Sequence, residues 1–117
     1  MKSDLPERTF RFAVEVVKLC RLLDERPGVS RTLANQLLRS GTSIGANIAE
    51  ANGGISKADF SAKMSIAYKE CLETKYWLSL MKDTLYLAED SYRTLFSEAD
   101  ELARILYSIV KSSRNDN

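Results

Sequence analysis

Glu70 and Glu73 stand three residues apart in a stretch of helical periodicity, and carboxylates at that spacing share one helix face. Such a pair can help chelate a divalent cation, handle a proton, or clamp a cation of the protein itself. The first two uses need company. A metal asks for further ligands, most often histidine, and the chain contains no histidine. It also lacks a Cys pair at ligand spacing, an HExxH motif and any helical pair of Glu-x-x-His units. No Lys–Ser pair, carboxylate dyad or phosphate loop of specific spacing stands out, and Gly53-Gly54 reads as a turn between helices. The sequence therefore predicts no catalytic residue, metal ligand, cofactor or small-molecule substrate, and a protein that is not an enzyme.

The third use remains. Both glutamates fall within an apolar arc that also holds Ile66, Trp77, Leu80 and Met81, and a carboxylate facing a core must be paired or protonated. Arg39 is the best partner, because its planar fork suits a carboxylate bidentately. The alternative is that both carboxylates sit at the edge of the arc and reach water. A buried pair would cost about 3 to 5 kcal/mol to break.

Arg39 flanks a stripe of its own. Gln36, Ser40, Ser43, Asn47 and Glu50 recur at steps of four, three, four and three, so their side chains meet the same partner helix. Of this polar side only Arg39 and Glu50 are ionised, where a solvated face carries Lys and Glu. Ser and Asn compete with the backbone for hydrogen bonds and form helices poorly. Their concentration points to a polar, small-residue interface. Gln36, Arg39, Ser40, Ser43, Asn47, Glu50, Glu70 and Glu73 are thus the candidate contacts to another subunit or to a protein partner. A lightly charged solvent face is the competing explanation.

Four helical stretches must position these groups, separated by Arg26-Pro27-Gly28-Val29-Ser30, by Asn52-Gly53-Gly54-Ile55-Ser56, and by a break near residues 87–91 that has neither Gly nor Pro. Connectors this short force antiparallel neighbours. Asp4 with Glu7, and Ser56 with Asp59, have the form of capping boxes, and Ser30 can cap the second helix. In the third helix Phe60, Met64, Ala67, Cys71, Thr74, Leu78, Met81 and Leu85 trace the seam of a left-handed bundle. In the fourth, Tyr92, Leu95, Phe96, Ala99, Leu102, Ala103, Leu106, Ile109 and Val110 form one stripe, backed by Arg93, Asp100, Glu101, Arg104 and Lys111. The second helix turns Leu33, Ala34, Leu37, Leu38, Gly41, Ile44, Gly45, Ile48 and Ala49 inward. Two glycines inside a helix, each costing about 1 kcal/mol relative to Ala, imply close backbone approach to a neighbour. The expected fold is all-α, an antiparallel up-down-up-down four-helix bundle, in a single domain over residues 1–117.

The first helix is apolar over more than half its circumference: Phe10, Phe12, Ala13, Val14, Val16, Val17, Leu19, Cys20 and Leu23 leave a narrow strip of Arg11, Glu15, Lys18 and Glu25. A core-facing stripe needs only about 100°. Either the surplus packs on another subunit, or the helix is central in its own bundle.

Seventeen basic and sixteen acidic residues give a net charge of +1, unlike a dedicated nucleic-acid binder. The first forty residues nevertheless hold eight basic against five acidic groups. Arg8, Arg11, Lys18, Arg26 and Arg31 are the candidate contacts to RNA or DNA. Charges at Lys2, Asp4, Glu7 and Arg8 interrupt any signal-peptide core, and the longest uncharged stretch, Ser40 to Ala49, is small and polar, so no export or membrane segment is expected. Cys20 and Cys71 read as buried thiols of a reducing cytoplasm.

The runs Leu37-Leu38-Arg39-Ser40 and Ser43-Ile44-Gly45-Ala46-Asn47-Ile48-Ala49-Glu50, with Phe60, Ile66-Ala67 and Lys69-Glu70-Cys71-Leu72-Glu73-Thr74-Lys75-Tyr76-Trp77-Leu78, resemble the bacterial family of four-helix proteins named after 23S ribosomal RNA intervening sequences. The resemblance implies an antiparallel four-helix bundle, assembly as a homopentameric ring, and no established enzymatic activity. Distant relatives are accessory proteins of diversity-generating retroelements, where basic surfaces contact nucleic acid. Two positions depart from the family pattern: Ala51 stands where Gly is common after Ala-Glu, and Gly54 where an Arg is frequent. The resulting expectation is a homo-oligomeric scaffold, with an RNA- or DNA-associated accessory protein as the alternative.

Overall fold

The computed structural model describes residues 4–54 and 56–115; Lys2 and Ile55, used above, lie outside the described residues. Four helices follow in order: α1 (Leu5–Leu23), α2 (Val29–Asn52), α3 (Lys57–Asp83) and α4 (Glu89–Asn115). They form an all-α antiparallel four-helix bundle with extents of 46 × 21 × 21 Å. Each helix packs on its sequence neighbour, whereas α1 and α4, which close the bundle, touch only sparsely.

The helix ends differ in part from the capping expected of them. Asp4 precedes α1 but makes no side-chain cap, because Pro6 in the first turn already suits that position and removes one donor. Glu7 instead reaches Arg11 at 3.3 Å. Ser30 does not cap α2. Gly28 does so at φ +91°, a left-handed conformation that glycine adopts without penalty. Ser30 is buried and donates to the Leu23 carbonyl at 3.0 Å, while the Arg31 guanidinium donates to the Asp24 carbonyl at 2.9 and 3.1 Å. Arg31 thereby occupies a carbonyl at the end of α1, and Ser30 adds a second donor to the Leu23 carbonyl, which also accepts the Arg26 N–H at 3.2 Å. Ser56 does cap α3, accepting the Asp59 N–H at 3.0 Å.

The third break forms without Gly or Pro. Leu85 adopts φ +69°, and the Tyr86 N–H donates to the Met81 carbonyl at 2.8 Å, closing the end of α3. A left-handed non-glycine residue costs about 1–2 kcal/mol. Leu85 is also 90% exposed, so it leaves the seam that the periodicity assigned to it. Helix α4 then starts at Glu89, with Glu89 and Asp90 placed favourably against its positive end.

The core otherwise follows the periodicity. Met64, Ala67, Cys71, Thr74, Leu78 and Met81 of α3 are buried, as are Leu95, Ala99, Leu102, Ala103, Leu106 and Val110 of α4. In α1 the core takes Leu5, Thr9, Phe12, Val16 and Cys20, while Phe10 remains 68% exposed. The glycines of α2 sit where α1 crosses: a Cβ on Gly41 would lie 2.9 Å from Val16 Cγ1, and one on Gly45 would lie 3.3 Å from the Thr9 carbonyl oxygen.

Both thiols are buried between helices and donate across them, Cys20 to the Ala34 carbonyl at 3.4 Å and Cys71 to the Ala99 carbonyl at 3.2 Å. Burial pushes each thiol up from 9.0 to about 12. Since the folded value exceeds the unfolded one, the stabilisation is complete below about pH 9 and is lost as pH rises toward 12. A thiol reagent at pH 8 should label neither cysteine in the native protein and both in denaturant. Rapid labelling of either one without unfolding would contradict this packing.

Candidate interaction surface

The polar stripe of α2 meets α3 of the same chain at Ser40 and Glu50. Ser40, expected on the outer polar side, is fully buried, and its hydroxyl lies 3.0 Å from that of Thr74, which donates to the Glu70 carbonyl at 2.8 Å. A serine is small enough to let the two helices approach there, and Thr74 supplies the hydrogen bond that its burial demands. Glu50 pairs with Lys63 at 2.7 Å. At these two positions the stripe is engaged by a helix of its own chain.

Arg39 reaches both glutamates. Its Nη1 donates to Glu70 Oε1 at 3.2 Å and its Nη2 to Glu73 Oε2. Glu73 also accepts the Trp77 indole N–H at 3.0 Å. The Arg39 guanidinium, and then that indole, hold the Glu73 carboxyl below its ordinary value of 4.5, while the carboxylates raise Arg39. The cluster is not a buried charge pair: the Arg39 side chain is 48% exposed and that of Glu73 is 37% exposed.

The rest of the stripe satisfies itself. Ser43 Oγ donates to the Arg39 carbonyl at 2.6 Å and Asn47 Nδ2 to the Ser43 carbonyl at 2.8 Å, while Gln36 is exposed. Half-buried, internally bonded side chains of this kind neither require Lys nor leave a donor unmade.

The consequence for Arg39 is smaller than a buried pair would give. Arg39→Ala should lower stability by at most about 1 kcal/mol, the range of exposed pairs. Emission of Trp77, the chain's one tryptophan, should nevertheless shift as Glu73 is released. The folded carboxyl of Glu73 is lowered, so what the pair contributes is present above about pH 4.5 and fades as pH falls. Outright unfolding of Arg39→Ala at neutral pH would restore the buried reading.

The candidate nucleic-acid residues are largely engaged with carboxylates. Arg8 Nε and Nη2 donate to Glu98 at 2.8 and 2.9 Å, and Nη2 also lies 2.9 Å from Glu101. Arg11 pairs with Glu7, Lys18 with Glu15 at 3.5 Å, and Arg31 with Asp24 at 3.2 Å. Arg26 is exposed in the turn between α1 and α2. These residues form no continuous cationic face: Arg11 and Lys18 pair with acids of α1 itself, Arg8 with acids of α4, and Arg31 with Asp24.

Two features escaped the sequence. Asp100, assigned to the wet back of α4, lies at its flank, bonded to Lys75 of α3 at 2.8 Å and to Arg104 at 3.0 Å. The second is a groove between α1 and α4. One end, of about 510 Å³, is lined by Phe10, Phe12, Val14 and Leu95 and rimmed by Arg8, Arg11, Glu98 and Glu101. It runs into a second hollow of about 400 Å³ that shares Glu15, Thr94 and Leu95 and adds Lys18, Leu19, Leu22 and Asp90. The apolar surplus of α1 was its only signal.

Among the described residues no group of three or more His, Cys, Asp or Glu could hold a metal ion, and no helix is long and apolar enough to cross a membrane. The family model of the 23S rRNA-intervening sequence protein matches residues 1–108. Among solved structures, a protein with unknown function from the S23 ribosomal protein family of Bacteroides thetaiotaomicron VPI-5482 is 41% identical. That likeness covers 91% of this chain and 97% of that one, with a TM-score of 0.83. No curated protein matches.

Proposed function

The chain belongs to the 23S rRNA-intervening sequence protein family, and from that premise we propose that it is a non-enzymatic, homo-oligomeric scaffold whose work is done by its surfaces. The carrying observation is the apolar material left outside the core. Phe10 and Leu22 on α1, Ile66, Leu72 and Tyr76 on α3, and Tyr107 on α4 are all exposed, while the charges around them are mostly paired within the chain. A soluble monomer rarely leaves that much large apolar surface in water. Self-association removes it.

The resemblance to the family implies a pentamer, and on this reading light scattering should return about five times 13.2 kDa at tens of micromolar protomer. A monodisperse species of 13.2 kDa would remove this reading. Intramolecular pairing of Arg8, Arg11, Lys18 and Arg31 favours the scaffold over the RNA- or DNA-associated alternative.

A further inference from the structure

The outer face shared by α3 and α4 gathers cations that the chain itself leaves largely without counter-charge. Tyr68 and Tyr107 meet across the seam with ring centroids 5.8 Å apart; Ser61 and Ser113 meet at 3.0 Å toward one end, and Lys75 reaches Asp100 at 2.8 Å toward the other. That antiparallel register, with the position of each residue around its helix axis, brings Lys57, Lys69 and Lys75 of α3 onto one surface with Arg104, Lys111 and Arg114 of α4. Asp100 is the one acid inside the face, shared by Lys75 and Arg104. Glu73 and Glu101 at its borders are already held by Arg39 and Arg8. Among the described residues Lys57, Lys69, Lys111 and Arg114 are exposed and form no ion pair. Rings lie among these cations: Tyr76 is 60% and Tyr107 52% exposed, with Leu72 between them. From Lys57 to Lys75 the face runs about 27 Å at the rise of an α-helix.

We propose that this face binds a single-stranded nucleic acid, with phosphates on Lys57, Lys69, Lys111 and Arg114 and unstacked bases on the rings of Tyr76 and Tyr107. The proposal goes beyond the scaffold reading and does not require assembly. It withdraws Leu72, Tyr76 and Tyr107 from the surface assigned to self-association and leaves Phe10, Leu22 and Ile66 to it. Its residues are also distinct from Arg8, Arg11, Lys18 and Arg31, whose carboxylate partners count against a nucleic-acid contact there. Charge and rings together choose the occupant. An acidic polypeptide would satisfy the cations and offer the tyrosines nothing to stack on, and a duplex hides the faces of its bases. A single strand presents one phosphate and one π-face per unit, and the length of the face suits the shortest single-strand sites, about four nucleotides.

Fluorescence anisotropy with a labelled oligothymidylate of about 15 nucleotides, at about 50 mM salt and upward, tests this assignment. Log affinity should fall with log salt at a slope of about 0.7 per phosphate, or about 3 for four contacts. Replacing Lys57, Lys69 and Lys111 together by Gln should weaken binding about tenfold or more and flatten that slope by about 2. Tyr76→Ala with Tyr107→Ala should weaken it about fivefold or more and leave the slope unchanged, because stacking releases no counterion. Arg21→Gln, at an exposed cation of α1 across the bundle, should alter neither. All three lysines are exposed, so the triple variant tests the face even if the tyrosine variant fails to fold. Wild type that does not bind the oligonucleotide, or a triple variant that binds it as wild type does, would overturn the proposal. Equal affinity for polyglutamate or for vesicles of anionic phospholipid would overturn the choice of occupant. Light scattering separates this from the scaffold reading: a monomeric wild type that binds supports the face and removes the scaffold, whereas a triple variant that loses both binding and assembled mass would make the face a subunit seam and overturn it as a nucleic-acid site.

Discussion

Leu37→Ala should lower the stability of the bundle by about 2–5 kcal/mol, the range for removing a fully buried leucine side chain. Leu37 is completely inaccessible at the centre of α2, within the core that joins all four helices. Truncation removes apolar contacts and leaves a void that rigid helix backbones can only partly close. In a chain of this size the loss corresponds to a fall in melting temperature of very roughly 4 °C per kcal/mol, compared at fixed protomer concentration because assembly would couple to unfolding. Asn35→Ala, two positions earlier on the exposed side, should change stability by less than about 0.5 kcal/mol. Similar melting curves for the two variants would mean that the rotation of α2 described here is wrong.

Gly41→Ala should also destabilise, although alanine is the better helix former by about 1 kcal/mol. The added methyl would sit 2.9 Å from Val16 Cγ1 and 3.0 Å from Cγ2. Val16 is fully buried and stiff about χ1, so it cannot swing aside without repacking α1, and such overpacking costs about 1–3 kcal/mol. The net expectation is a loss of up to about 2 kcal/mol. The cause is separable by a double-mutant cycle. Val16→Ala alone opens a small void, and the Gly41→Ala methyl then enters it, so the double variant should be more stable than the two single losses added together by about 1 kcal/mol. Strict additivity would mean that the glycine serves something other than the contact between α1 and α2.

Much of this was legible in one dimension. Apolar spacing at 3.6 residues marks a helix and the face it buries, because a side chain's angular position around the axis depends only on its number in the chain. The cores of α3 and α4, the inward glycines of α2 and the buried cysteines all follow from that rule. The ends of helices followed it less well. A cap depends on the torsion angles of one or two residues and on which carbonyls lie nearby, so Asp4 and Ser30 fitted the pattern yet do not cap, and Leu85 left its seam by turning left-handed.

What a helical face meets is a different kind of fact. The stripe from Gln36 to Glu50 announced by its spacing that one helix would lie along it, and the uncharged side chains announced close, hydrogen-bonded packing. Neither property carries the identity of the neighbour. That identity is set by how four helices share one core: once α2 and α3 face each other antiparallel, Ser40 meets Thr74, Arg39 meets Glu70 and Glu73, and Glu50 meets Lys63. The same holds for the broad apolar surface of α1. Its residues set the amount of surface to be covered, while the tertiary structure decided which part α2 takes and left Phe10 and the groove beside α4 open, because sparse contact between α1 and α4 does not cover the whole apolar arc of a helix that is apolar over more than half its circumference.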